Sequence, residues 1–121
     1  IMSKESWIAE FYPVKASEVA MENAIEHSLR KWHGAYKDNL AKHELTKVPF
    51  TFCAHNCALC QHYDCVDCPV KLANGMDCEM AAEYGEFWDT WAKTGDPDDM
   101  VFALERAERF VENKEIMGYP V

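Results

Sequence analysis

The six cysteines of this chain fall between Cys53 and Cys78, in the order C-x3-C-x2-C-x4-C-x2-C-x9-C. Thiolates this close together are suited to share one electrophile, and a metal ion is the first candidate. Zn2+ takes four ligands in a tetrahedron, with sulfur about 2.3 Å from the metal. A C-x2-C pair can supply two of these ligands from a single tight turn. The chain has two such pairs, Cys57-Ala58-Leu59-Cys60 and Cys65-Val66-Asp67-Cys68. The loop between them is tighter than in a usual zinc ribbon, so Cys78 can stand in for Cys65. The expected metal ligands are therefore drawn from Cys57, Cys60, Cys65, Cys68 and Cys78, with Cys53, His55 and His62 in reserve.

Other uses of the thiols stay open. Cys68-Pro69 echoes the Cys-Pro ending of ferredoxin runs, but the intervals do not match an iron–sulfur cluster. Six cysteines suit a two-zinc cluster by number and not by spacing. Disulfides, or a redox pair using Cys53 with His55, are further alternatives. Structural zinc comes first because the chain shows no charged-then-apolar leader, and Met2, after Ile1, is the expected start. Both point to a reducing cytoplasm, where clustered cysteines are more often ligands than disulfides.

The rest of the chain must position that segment. Its 121 residues suit a single domain over 1–121, with 53–78 as the metal-binding knob. A core of this size has little margin, so a metal staple would help. With 49% hydrophobic and 12% aromatic residues the composition is globular. Its apolar runs are too short for a membrane span. The formal net charge is −9, from 21 acidic and 12 basic residues. That argues against binding phosphate backbones. It suits a basic protein partner, or an acidic surface that imitates nucleic acid.

Trp7, Ile8, Phe11 and Tyr12 precede Pro13, which predicts an N-terminal arm whose aromatics pack on the core. Met21, Ile25, Leu29, Trp32, Tyr36 and Leu40 form one helical stripe, predicting a first helix from Ser17 to Leu40 that kinks or ends at Gly34. Val48, Phe50 and Phe52 alternate beside Pro49, as in a short edge strand. A second helix is expected from Asp77 to Lys93, with Met80, Tyr84, Phe87 and Trp91 buried and Trp88 beside them. Asp96-Pro97 predicts the start of a third, with Val101, Leu104 and Val111 facing inward. The expected fold is mainly α: three helices, with an irregular cysteine-rich zinc knob between the first and second.

No catalytic constellation stands out. There is no G-x-S-x-G, phosphate-binding glycine loop or dinucleotide fingerprint. His43-Glu44-Leu45 is not H-E-x-x-H, and His27, His33 and His43 read as ordinary helix or packing residues. The Asp96 to Asp99 cluster reads as a helix start, not a calcium loop.

The run Cys57-Ala-Leu-Cys-Gln-His-Tyr, then Cys65-Val-Asp-Cys-Pro-Val, Gly75 and Cys78, resembles a motif of small uncharacterised bacteriophage proteins. Arg30-Lys31-Trp32 before it and an aromatic helix after it extend the likeness over Leu29 to Trp91. Cys53 lies outside that pattern. After Cys78 those proteins often continue Thr-Pro-Tyr, whereas this chain reads Glu79-Met80-Ala81. The resemblance implies a small zinc-binding phage protein acting in the host cytoplasm. The expected function is a non-enzymatic, acidic interaction protein that binds and modulates a host protein. The alternatives are a metal- or thiol-dependent enzyme, and a nucleic-acid mimic or nucleic-acid-binding zinc module.

Overall fold

A computed structural model describes residues 3–64, 67–75 and 86–116. The protein is mainly helical, and no strand occurs among the described residues. Its α-helices are α1 (Lys4–Phe11), α2 (Ala24–His33), α3 (Lys37–Lys42), α4 (Ala58–His62), α5 (Pro69–Asn74), α6 (Glu86–Thr94) and α7 (Asp98–Ile116). Single 3-10 turns cover Ala16–Glu18, Met21–Asn23 and Ala54–Asn56.

The N-terminal arm is a true helix. Ser3 and Ser6 form a reciprocal capping box, with the Ser3 amide donating to Ser6 Oγ at 2.7 Å. As expected, its aromatics enter the core: Trp7 is wholly buried and Phe11 nearly so. Trp7 Nε1 donates to the Gly34 carbonyl at 2.9 Å, fixing α1 against the end of α2.

The continuous helix expected from Ser17 to Leu40 is instead broken into pieces. Val19 and Ala20 are extended, with ψ of 133° and 152°. This lets Val19 bury its side chain while its carbonyl accepts His62 Nε2 at 2.6 Å. The α-helix starts only at Ala24 and ends at Gly34, where the sequence placed a kink or end. Tyr36, extended at ψ 143°, restarts the chain as α3. The buried face of α2 carries Ala24, Ser28, Lys31 and Trp32, so the true stripe is rotated from the expected one.

The expected edge strand is also absent: residues 46–52 form bends and coil. Its alternating aromatics still insert. Phe52 is 1% exposed and packs against Trp32 and Trp91 at centroid distances of 4.8 and 5.2 Å. Trp32 and Trp91 meet edge to face at 4.9 Å, so the two stripes do converge. Trp88 Nε1 donates to the Phe52 carbonyl at 2.9 Å.

Helix α7 packs on α5, α2 and α6. Met100, Val101, Ala103, Leu104 and Ala107 form its buried face. The Asp96 carboxylate accepts the Asp98 amide at 2.9 Å, the capping expected from Asp96-Pro97. Asp98 in turn accepts from the Tyr36 hydroxyl at 2.6 Å, joining the start of α7 to α3. The expected beginning of the second helix at Asp77, with Met80 and Tyr84, lies outside the described residues.

Candidate metal centre

The cysteine segment is more regular than its composition suggests. Cys57 is the N-cap of α4, and Cys60 lies in that helix's first turn. Cys68 is the N-cap of α5, with Pro69 at its first position, where a missing amide costs nothing. Gly75, at φ 75°, closes α5 in the left-handed region that glycine tolerates. Cys57 and Cys68 therefore each begin a short helix, and Leu59 and Val70 anchor those helices in the core at 2% and 1% exposure.

Cys53, Cys57, Cys60 and Cys68 line one cavity of about 40 Å3, which has room for an ion or a few waters. All four stand as thiols rather than in a disulfide. Apolar groups close much of the wall: Trp32, Phe52, Leu59, Val70, Trp88, Met100 and Leu104. The polar remainder is Ser28 and Lys31, both on α2.

Sequence reasoning passed over those two residues. Ser28 Oγ lies 3.8 Å from Cys57 Sγ. Lys31 is 1% exposed, with its Nζ donating to the Asn56 carbonyl at 2.8 Å and to Asn56 Oδ1 at 3.1 Å. The ammonium also stands 4.9 Å from the Phe52 ring centre. The signal was present in the spacing Ala24, Ser28, Lys31, Ala35, which steps along one helix face. A lysine in that series reads as solvent-facing unless something anionic waits inside.

Cys57 is one group that interacts with the Lys31 cation. The Cys57 thiol is held well below its ordinary value, chiefly by hydrogen bonding with Cys60, while burial opposes this. The Lys31 cation, the Cys60 amide and Ser28 add to the lowering. A thiolate stabilised in this way is the form that binds a soft metal.

The donor chemistry fits Zn2+, for which thiolates on tight turns are common ligands. Among the described residues, no group of three or more His, Cys, Asp or Glu side chains is placed to hold a metal ion. A complete four-ligand shell in this arrangement therefore has to draw on both Cys65 and Cys78, the two expected ligands that lie outside the described residues. No protein-family model matches the chain, and no curated protein or solved structure matches it.

The reserve histidines are placed differently. His62 spends Nε2 on the Val19 carbonyl, and His55 is exposed. His43, read as ordinary from sequence, is 3% exposed. Its Nδ1 meets Ser6 Oγ at 2.8 Å and its Nε2 meets Glu10 Oε1 at 2.7 Å. Ser6 Oγ also serves the α1 capping box, so this trio ties α1 to the end of α3. His27 is half-buried against Tyr12, at 5.1 Å between rings, with Nε2 donating to the Val14 carbonyl at 2.6 Å.

Proposed function

We propose that this is a zinc-stapled, non-enzymatic interaction protein. The ligands of one Zn2+ are drawn from Cys57, Cys60, Cys65, Cys68 and Cys78. The convergence of thiols from α4, α5 and the preceding loop on one cavity, backed by buried Lys31, carries this reading. Zinc there ties the loop after α3 to α5, and through α5 to α7. That tie makes the knob a fixed part of a helical domain whose Trp32 and Trp91 faces meet. An all-thiolate shell is closed and poor at activating water, so its role is structural.

The domain then acts through its surface. Net charge −9 favours a basic protein partner and disfavours nucleic acid. Among the described residues, no helix is long and apolar enough to cross a membrane. With the resemblance to small phage proteins, the partner class is a host protein met in the host cytoplasm. The exposed residues Glu18, Glu22 and Glu26 lie before and at the start of α2, and they offer acidic groups to alter. Capture from host lysate should be lost when these three are changed to lysine, even though Zn2+ is retained. Undiminished capture by the reversed variant counts against charge-led binding.

One observation supports a second reading. Cys57 and Cys60 pair across the first turn of a helix with a depressed thiol, which also suits thiol–disulfide exchange. Rapid alkylation of Cys57 in metal-loaded protein would favour exchange, and protection by Zn2+ favours the staple.

A further inference from the structure

We propose that the groove between α3, the 46–51 segment and the end of α6 is a binding site for an aromatic organic acid, with its ring on Phe50, Trp88 and Trp91 and its carboxylate held by Lys37 and Lys47. No thiol of the described residues lines this groove, so the site does not rest on the zinc reading. The groove has a volume of about 550 Å3, within the range of small-molecule sites. Val48, Pro49, Phe50, Trp88 and Trp91 line it, each half-buried and so each still presenting surface to a ligand. The walls are already fixed. Trp88 Nε1 donates to the Phe52 carbonyl at 2.9 Å, and Trp91 stacks on Phe52 at 5.2 Å between ring centres. Phe50 packs beside Tyr12 and Trp7, at 5.1 and 5.6 Å between ring centres. Rings held in place before binding cost a ligand little ordering.

Charge decides the class of ligand. The chain carries a net charge of −9, yet among the described residues the charged side chains that line this groove are Lys37 and Lys47 alone. Both are exposed. Lys37 opens α3, and Lys47 lies in the segment that follows that helix. Lys37 also borders the neighbouring cleft that holds Asp38, Asp96 and Asp98, so it stands between an acidic cleft and a basic one. Aromatic walls by themselves attract cations, and so does a chain of this net charge. Two lysines at the rim reverse that preference locally. The other polar side chains of the lining are the hydroxyls of Thr46 and Thr51. Among the described residues, no Asn or Gln side chain lines the groove to pair with a peptide backbone. A compact ring bearing one carboxylate matches this lining better than an extended peptide does.

Probes of one shape separate the charges: 2-naphthylacetate, the neutral 2-naphthylacetamide and the cation 2-(2-naphthyl)ethylammonium. Binding is followed by NMR at the indole N–H signals of Trp88 and Trp91, with circular dichroism to check the fold. The acid should saturate these signals with a dissociation constant on the order of 1 mM or tighter. It should bind at least roughly fivefold more tightly than the cation. Ala92, exposed on α6 and part of the lining, is the place to set the sign of the local charge. Ala92→Glu should weaken the acid by roughly fivefold or more, whereas Ala92→Lys should keep or improve its binding. Lys37→Gln combined with Lys47→Gln should weaken the acid by at least roughly threefold and leave the amide unchanged. These effects should shrink at high salt. Acid and cation binding equally, or an Ala92→Glu protein that binds the acid as wild type does, overturns the charge assignment. Shifts confined to residues away from Trp88 and Trp91, or no shifts at millimolar acid, overturn the site. Shifts of those two signals on raising the protein concentration without any probe assign the groove to a second copy of this chain and overturn the acid as its occupant.

Discussion

Replacing Gly34 with alanine places a methyl group where two rings already stand. A Cβ built there would lie 2.5 Å from Trp7 Cζ2 and 2.7 Å from Phe11 Cγ. Carbon atoms in contact settle near about 3.5 Å or beyond, so the rings would have to withdraw by about 1 Å. Trp7 has nowhere to go. It is wholly buried, with Phe11, Phe50 and Phe52 at centroid distances of 5.5, 5.6 and 6.2 Å. Its indole also donates to the Gly34 carbonyl, and a displaced ring would lose that bond, worth about 1 kcal/mol. Overpacking of this kind costs about 1–3 kcal/mol. Against it stands a helix-propensity gain of at most about 1 kcal/mol, since Gly34 has an ordinary φ of −66°. The net expectation is a loss of about 1–3 kcal/mol. In urea, with a slope of about 1–3 kcal/mol/M, the midpoint should fall by about 1 M, read by circular dichroism. A variant as stable as wild type, or more stable, would refute the close packing of α1 on α2.

Tyr36→Phe removes the hydroxyl that donates to Asp98; it should cost about 1–2 kcal/mol in the same urea assay, and no change would mean that this link does not hold α3 to α7. Burial is the main force lowering His27 below its ordinary value, with the Val14 carbonyl opposing it. The fold therefore favours the neutral ring, and the unfolded chain binds the proton more readily. Stability from this site is present above about 6.5 and declines as pH falls through that value toward the lower folded-state value. Protonation would also place an N–H at Nδ1, which is buried without a hydrogen-bond partner among the described residues; His27→Phe should flatten this part of the stability–pH curve, and an unchanged slope would remove the explanation. Cys68→Ser should lower the thermal midpoint of zinc-loaded protein and abolish its response to chelator, whereas a chelator shift equal to wild type would remove Cys68 from the ligand set.

The sequence was most legible where two local rules agreed. Asp96-Pro97 and the apolar spacing from Val101 placed α7, and the aromatic stripe placed Trp91 against Trp32. It was least legible where tertiary demand overrode local preference. The helical periodicity from Met21 was real, but the need to bury Val19 and meet His62 extended the backbone at Val19 and Ala20. Phe50 and Phe52 alternate like strand residues, yet their partners are rings rather than a neighbouring strand. At the candidate centre the thiols announced themselves by spacing. Lys31 did not, because a charged residue on a helix reads as exposed until its cavity is visible. Ser6, Glu10 and His43 escaped for a related reason: their trio joins residues 33 or more apart.

The most direct test of the thiol centre is elemental analysis of protein purified under reducing, anaerobic conditions, paired with a count of alkylatable cysteines. One zinc per chain, with four of Cys57, Cys60, Cys65, Cys68 and Cys78 protected until chelator is added, is the predicted result. Metal-free protein in which those cysteines alkylate freely, or are joined in disulfides, would contradict the account.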